Sequence, residues 1–293
     1  MMRFVAVAAI LFAIAEPIHA ASHRVARHKH ADVDRPWTLN TDVDFFQLKS
    51  QSWQDGVLAY VFQNIGVTNR FYVEFGFNAP SFDGGSGANS YVLHNHFGWT
   101  GLLLDGDNEN AAINLRKVGF ITPDNIVDIF KKHKVPREPD YVSIDIDSYD
   151  IWLFKALVSG GFRPRVLTIE YNANFPLGAN MSCTPESRTH AFDRAFGASL
   201  GAFGEVADET GYAIVQVVPG LDVVLVRRDV LSGLPTLPLS HFGPTCAGIS
   251  VHGPATEARK SEIMDYTVWK KTGSVAQAQH AAREWLLSHP GVI

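Results

Sequence analysis

The stretch that decides the fold is Tyr212-Ala213-Ile214-Val215-Gln216-Val217-Val218, then Pro219-Gly220, then Leu221-Asp222-Val223-Val224-Leu225-Val226-Arg227. Two β-prone runs separated by a Pro-Gly turn predict a hairpin, so one strand must run antiparallel to its neighbour. Immediately upstream, residues 199–210 read as a helix that stops at Gly211. Further upstream lie four short apolar runs, at residues 71–75, 101–105, 140–147 and 165–171. Helical stretches separate them at 89–97, 124–134 and 151–159. Strands alternating with helices predict a parallel sheet covered on both faces. Strands buried on both faces are apolar throughout, as these largely are.

The predicted fold class is therefore α/β. It is a Rossmann-like, mostly parallel central sheet with helices on both faces, ending in an antiparallel hairpin, over residues 71–230. The rest of the chain is read around it. The 293 residues are 46% hydrophobic and 19% charged, enough apolar material for one large core. A net charge of −5, with no long basic run beyond the first thirty-odd residues, argues against nucleic acid as a partner.

Residues 1–20 read as a signal peptide. Arg3 precedes an unbroken apolar stretch from Phe4 to Ala15, Pro17 breaks it, and Ile18-His19-Ala20 offers a cleavage point. The apolar stretch is shorter than the roughly 20 residues of a membrane span. Export is expected, to the outside or to a secretory lumen, with no span left after cleavage. Residues 21–44 form a basic lead-in whose His23, His28 and His30 fit no closed metal site. Residues 45–70 read as a helical extension, helical over 45–65, and residues 231–293 as a loop-rich extension closed by a helix at 275–288. In an exported chain Cys183 and Cys246 have the option of pairing. Asn180-Met181-Ser182 is a glycosylation sequon, meaningful in a eukaryotic host.

In open α/β sheets the ligand sits beyond the carboxyl ends of the strands, at the switch point. Each predicted strand ends there in polar, mostly acidic residues. The first ends Glu74-Phe75-Gly76, followed by a long loop holding Gly84-Gly85-Ser86-Gly87. The second ends Asp105-Gly106-Asp107, where an acid commonly accepts hydrogen bonds from ribose hydroxyls. The next ends Asp145-Ile146-Asp147, two acids expected on one strand face, which repel unless a proton, cation or basic partner intervenes. The last adds Glu170 and Asn172. Oxygen ligands of this kind, Asp145, Asp147, Glu170 and Asn172, suit a hard divalent cation. Equally, the acids suit deprotonation of a substrate hydroxyl. His94 and His96, in the helix after the glycine loop, are further candidates for that base, though a structural role suits them better.

The chain from Tyr72 to about Arg228 resembles the FkbM-like methyltransferase family. The matching pieces are Val73 to Gly76, Gly98 to Asp107, Thr122 to Ile126, Asp140 to Asp147 and Pro164 to Asn172. The resemblance implies an S-adenosyl-L-methionine-dependent methyltransferase, with the hydroxyl of a small molecule or glycan as acceptor. It implies that Glu74 and Gly76 line the methionine end of the cofactor and Asp105 or Asp107 the ribose. Asp124 and Asn125 fall at the adenine, and Asp145 faces the transferring methyl. The chain departs from the family in the long loop at 77–88 and in Asp147-Ser148, where an acid-glycine pair is common. Two other readings stay open: an exported protein that keeps the fold for binding or trafficking without catalysis, and a metal-dependent enzyme built on the acidic cluster.

Overall fold

The computed structural model describes residues 35–40, 45–82, 88–187, 193–246 and 252–293. The signal segment, the histidines of the lead-in and Gly84 to Gly87 lie outside the described residues, as does the side chain of Cys246.

The chain enters through helix α1 (Gln54–Ile65). The helix predicted to begin at 45 begins at Gln54 instead. The Asp55 carboxylate explains why: it accepts hydrogen bonds from the amides of Leu48 (2.8 Å), Lys49 (2.8 Å) and Ser50 (3.0 Å), wrapping residues 48–50 around the helix start. Then follow β1 (Phe71–Phe75), α2 (Tyr91–Phe97), β2 (Thr100–Asp105), β3 (Leu115–Lys117), α3 (Ile126–Lys132), β4 (Tyr141–Ile144), α4 (Asp150–Ser159) and β5 (Val166–Glu170). After β6 (Met181–Cys183) come α5 (Leu200–Thr210), β7 (Tyr212–Val217) and β8 (Asp222–Arg227). Ser199 caps α5 by accepting the amide of Ala202.

Seven strands make the main sheet in the order β3-β2-β1-β4-β5-β8-β7. The first five are parallel, and β8 runs antiparallel to both β5 and β7. This is the Rossmann-like α/β fold in its methyltransferase form, with the hairpin expected from Pro219-Gly220 closing the sheet. β3, with Arg116 and Lys117, was not expected from the pattern. It is three residues long and charged, as edge strands commonly are.

Strand alternation builds two cores. Val73, Phe75, Leu102, Leu104, Val142, Ile144, Leu167 and Ile169 pack against Ile126 and Phe130 of α3, Leu153, Phe154 and Leu157 of α4, and Phe203 and Val206 of α5. Tyr72, Leu103, Tyr141, Val166, Val224 and Val226 face the other way, onto Val57, Leu58, Val61 and Phe62 of α1 and Leu93 of α2. A buried ion pair staples the amino ends of the central strands. Asp140 accepts from Arg165 (2.7 Å) and from the amides of Thr68, Asn69 and Arg70 at 2.7–2.8 Å. Burial alone would raise its pKa, but Arg165 and these donors hold the carboxyl below the usual range.

The C-terminal region carries more structure than its loop-rich composition suggests. It adds α6 (Leu239–Cys246), α7 (Glu257–Lys260), β9 (Ile263–Asp265), α8 (Tyr266–Thr272) and α9 (Val275–Ser288). β9 pairs antiparallel with β6 in a separate two-stranded sheet. Met264, Tyr266, Ala278 and Ala282 join the core on the α4–α5 side. No helix among the described residues is long and apolar enough to cross a membrane.

Candidate functional site

A cavity of about 560 Å³ opens at the carboxyl ends of β1, β2, β4 and β5. Between β1 and β4 the strand order changes direction, so the cavity lies at the topological switch point. Gly76 follows β1 with φ +67°, and a Cβ on it would sit 1.9 Å from the carbonyl oxygen of Asp145. Only glycine lets these two strand ends close on each other.

Asp145, Asp147 and Glu170 bring carboxylate oxygens within 4.8 Å of one another. Strand alternation does not produce this meeting, because β4 stops at Ile144. Asp150 produces it: its two oxygens accept from the amides of Ile146 (2.8 Å) and Ser148 (3.0 Å), folding residues 145–149 into a turn with Asp147 at φ +57°. Burial and then the neighbouring Asp147 push the Asp145 carboxyl well above its usual range. Burial, then Asp145 and Asp147, do the same to Glu170. Asp150 is pushed up to about 7 by burial, against the pull of its two amide donors. Glu170 Oε2 is buried and bonded to no protein group.

Asp105 lines the same cavity at the end of β2. Its Oδ1 accepts from the amides of Asp107 (2.9 Å) and Asn108 (2.6 Å) and from the Asn108 side chain (2.9 Å), which fixes the carboxylate on the strand end. Asp107 is not among the lining residues. Its side chain is 95% exposed and lies 3.4 Å from Lys117.

Several other candidates turn away. Glu74 does not line the cavity. It is buried on the opposite side of β1, where it accepts from the amides of Asn89 (2.9 Å) and Ser90 (3.0 Å) and from the Ser90 hydroxyl, bracing the exit of the glycine loop. Burial raises its pKa to about 7. Asp124 is exposed, and Asn125 braces its own loop through the amide of Thr122 and the carbonyl of Phe120. The lining residues of that segment are Phe120 and Ile121. The Asn172 amide, set among the oxygen ligands, is bonded to the carbonyls of Arg194 and Phe196 and to Asn174, so it stands apart from the three acids. His94 lies against the Tyr72 hydroxyl (3.0 Å) and stacks on Phe82, and His96 is exposed; neither lines the cavity.

The remaining wall was not foreseen. Phe196 and His252 close it, ring edge to ring face at 5.7 Å. Phe196 stands on an arch at 193–198 that is tied to His252 and the C-terminal region. The Arg194 amide bonds Gly253 O (3.1 Å), Arg194 Nε bonds His252 O (3.0 Å), and Arg259 grips Asp193 and Ala195 O. Asn172 ties the other side of that arch to β5. Cys183 is a buried free thiol whose Sγ donates to Ser148 O (3.0 Å), so it takes no part in the disulfide left open above. The Asn180 side-chain nitrogen donates both to Glu205 (2.8 Å) and to Thr267 (2.9 Å), which a glycan on that nitrogen would disrupt.

No family model matches the chain, and no curated protein matches it. Among solved structures it is similar to the MycE methyltransferase from the mycinamycin biosynthetic pathway in complex with Mg and SAH. For one crystal form the identity is 17% and the TM-score 0.39, over 64% of this chain and 53% of that one. For a second form the values are 15% and 0.37, over 58% and 48%. For the complex with Mg, SAH and mycinamycin VI they are 15% and 0.35, over 64% and 62%. The chain thus spans about half the length of the first of these. The likeness is faint, and the fold assignment rests on the strand order of the sheet itself.

Proposed function

We propose that the chain is an S-adenosyl-L-methionine-dependent methyltransferase of the FkbM-like kind, acting on a hydroxyl of a small molecule or glycan. One observation carries this reading: Gly76, Asp105, Asp145 and Glu170, from four different strand ends, gather around a single cavity at the switch point. When bound, the cofactor supplies an electrophilic methyl, which leaves the protein to align the acceptor and take up its proton. Asp105 is placed at the strand end where an acid holds ribose hydroxyls, its orientation fixed through Oδ1. Asp145 lines the same cavity beside Asp147 and, in its ionised form, serves as the proton acceptor.

The three acids also fit a divalent cation. Their oxygens are close enough to share one, and Glu170 Oε2 is a buried acceptor with no protein donor. Asp145, Asp147 and Glu170 would hold the ion, which would offset their mutual repulsion and supply a Lewis acid for the acceptor oxygen. Asn172 has no part in this set.

Calorimetric titration with S-adenosylmethionine and S-adenosylhomocysteine tests the reading. Saturable binding is expected; no heat and no thermal shift at millimolar ligand overturns it. Binding of Mg²⁺ or Mn²⁺ without any cofactor binding would instead favour a metal-dependent enzyme built on the same acids. Export is part of the proposal, supported by residues 1–20, and mass measurement of the secreted chain should find residues 1–20 removed.

A further inference from the structure

Residues 47–53, which precede the α/β domain in sequence, form a strap that is pinned along its length. Asp55 Oδ2 accepts the Ser50 hydroxyl (2.9 Å) besides the amides of residues 48–50. Gln47 Nε2 donates to the carbonyls of Ser50 (2.9 Å) and Gln51 (3.0 Å). The Ser52 amide donates to Gln54 Oε1 (2.8 Å), and Gln54 Nε2 donates to Asp222 at the start of β8 (2.8 Å). Toward β1, Lys49 O accepts the amide of Ala88 (3.3 Å), next to Asn89 and Ser90, which donate to Glu74. The strap therefore runs between the end of β1 and the start of β8.

Of the strap residues, Gln51 lines the cavity. Its backbone is fixed by Gln47, yet its side chain is exposed and makes no hydrogen bond to a described residue. A carboxamide on a fixed backbone presents two N–H donors and a carbonyl acceptor that the fold does not use. The ordering cost of a binding group is smallest where its backbone is already held. Gln51 is two residues from the Lys49–Ala88 contact, no more than about 7 Å along the chain.

In the methyltransferase reading the ribose lies at Asp105, on β2, and the methyl is delivered toward Asp145, just after β4. β1 stands between β2 and β4 in the sheet. The sulfur that carries the methyl, and the amino-acid chain attached to it, therefore lie over the end of β1. Glu74, expected there, is turned to the other side of the strand, and a carboxylate ligand needs donors rather than another acid. Resting on that reading, we propose that Gln51 binds the amino-acid end of S-adenosyl-L-methionine, its side-chain amide donating to the α-carboxylate.

The test titrates the full chain with two probes, S-adenosylhomocysteine and 5′-methylthioadenosine, which keeps adenine, ribose and sulfur but lacks the amino-acid end. Gln51→Ala is expected to weaken S-adenosylhomocysteine roughly tenfold, the worth of one hydrogen bond to a charged group, and to leave 5′-methylthioadenosine unchanged. Gln51→Glu sets a like charge against the α-carboxylate and is expected to weaken S-adenosylhomocysteine further than Gln51→Ala does. Because the native side chain has no partner in the fold, both variants should melt with the native chain, which a thermal scan checks. S-adenosylhomocysteine affinity unchanged in Gln51→Ala, or an equal loss for both probes, overturns the proposal. So does a Gln51→Glu chain that binds S-adenosylhomocysteine as tightly as the native one. Failure of S-adenosylhomocysteine to bind the native chain overturns the methyltransferase reading itself, which separates the two.

Discussion

The two halves of the cavity are built in opposite ways. The half at the ends of β1 and β2 is local. Asp105 is oriented by amides two and three residues away, and Gly76 follows directly from its strand. The half at the ends of β4 and β5 is assembled from distant pieces. Asp145 and Asp147 are aimed by Asp150, Phe196 is held through Asn172, and His252 is held through Arg194 and the grip of Arg259. The local half holds a carboxylate among donors, whereas the assembled half crowds three carboxylates, of which Asp145 and Glu170 are pushed up by burial. In the methyltransferase proposed above, the local half would serve the constant cofactor and the assembled half, shaped by the C-terminal region, a particular acceptor.

The largest effect should come from cutting the assembled half loose. Arg259→Ala removes a mostly buried guanidinium that pairs with Asp193 and Glu262 and bonds Ala195 O. Breaking a buried pair of this kind costs about 3–5 kcal/mol. Chemical denaturation should show a loss of that order, with S-adenosylhomocysteine affinity unchanged in the protein that stays folded. Equal loss of cofactor affinity would erase the distinction between the halves.

Gly76→Ala strikes where the halves meet. The new Cβ would fall 1.9 Å from Asp145 O at a positive φ, strain of order 1–3 kcal/mol at minimum. Both stability and cofactor affinity should fall. A variant with unchanged affinity would show that the β1–β4 approach does not shape the site.

Asp105→Asn should act on the local half alone. Losing a charged hydrogen-bond acceptor for the ribose is expected to cost about 1.5 kcal/mol, roughly tenfold in affinity, with melting temperature nearly unchanged. Unaltered affinity in the titration would remove Asp105 from the cofactor site.

The smallest effect is the change that one variant makes in the pH dependence of stability. Asp145 and Glu170 are raised well above their usual ranges, Glu74 to about 7 and Asp222 to about 6. The folded state therefore binds more protons than the unfolded one, so stability should fall as pH rises from about 4 through these values. Asp147→Asn removes a charge beside Asp145 and lowers its pKa, so thermal melts across pH 5–8 should show a fall shallower by roughly 1 kcal/mol. Mg²⁺ should raise the melting temperature of the native chain most at the alkaline end of that range and do less for the variant. A fall that is steeper in Asp147→Asn would contradict the assignment of Asp147 as the neighbour that raises Asp145.

The fold was legible because strands buried on both faces must be apolar along their whole length, and the Pro219-Gly220 turn leaves one pairing for the last two. β7–β8 follows from that turn, and the terminal helix Val275–Ser288 follows from its pattern; that β8 rather than β7 pairs with β5 does not. β3 escaped notice because three residues, two of them charged, carry no period. At the site, Asp105, Asp145, Asp147 and Glu170 could be found from position alone, since strand ends in a parallel sheet share one rim. Glu74 and Asn172 share that position in sequence and are diverted by partners, Asn89 and Ser90 for one and the arch carbonyls for the other. His252 gave no signal, being isolated in a segment without periodicity.

By itself, then, the sequence determined the order of the main alternating strands and helices, the sheet type and the rim on which chemistry could sit. These depend on hydrophobic period and turn chemistry, which act between near neighbours along the chain. Only the tertiary structure decided which rim acids face the cavity, how Asp150 turns two of them toward Glu170, and that Phe196 and His252 form the opposite wall. Those outcomes depend on hydrogen bonds between residues far apart in sequence, and such contacts leave no period for the sequence to display.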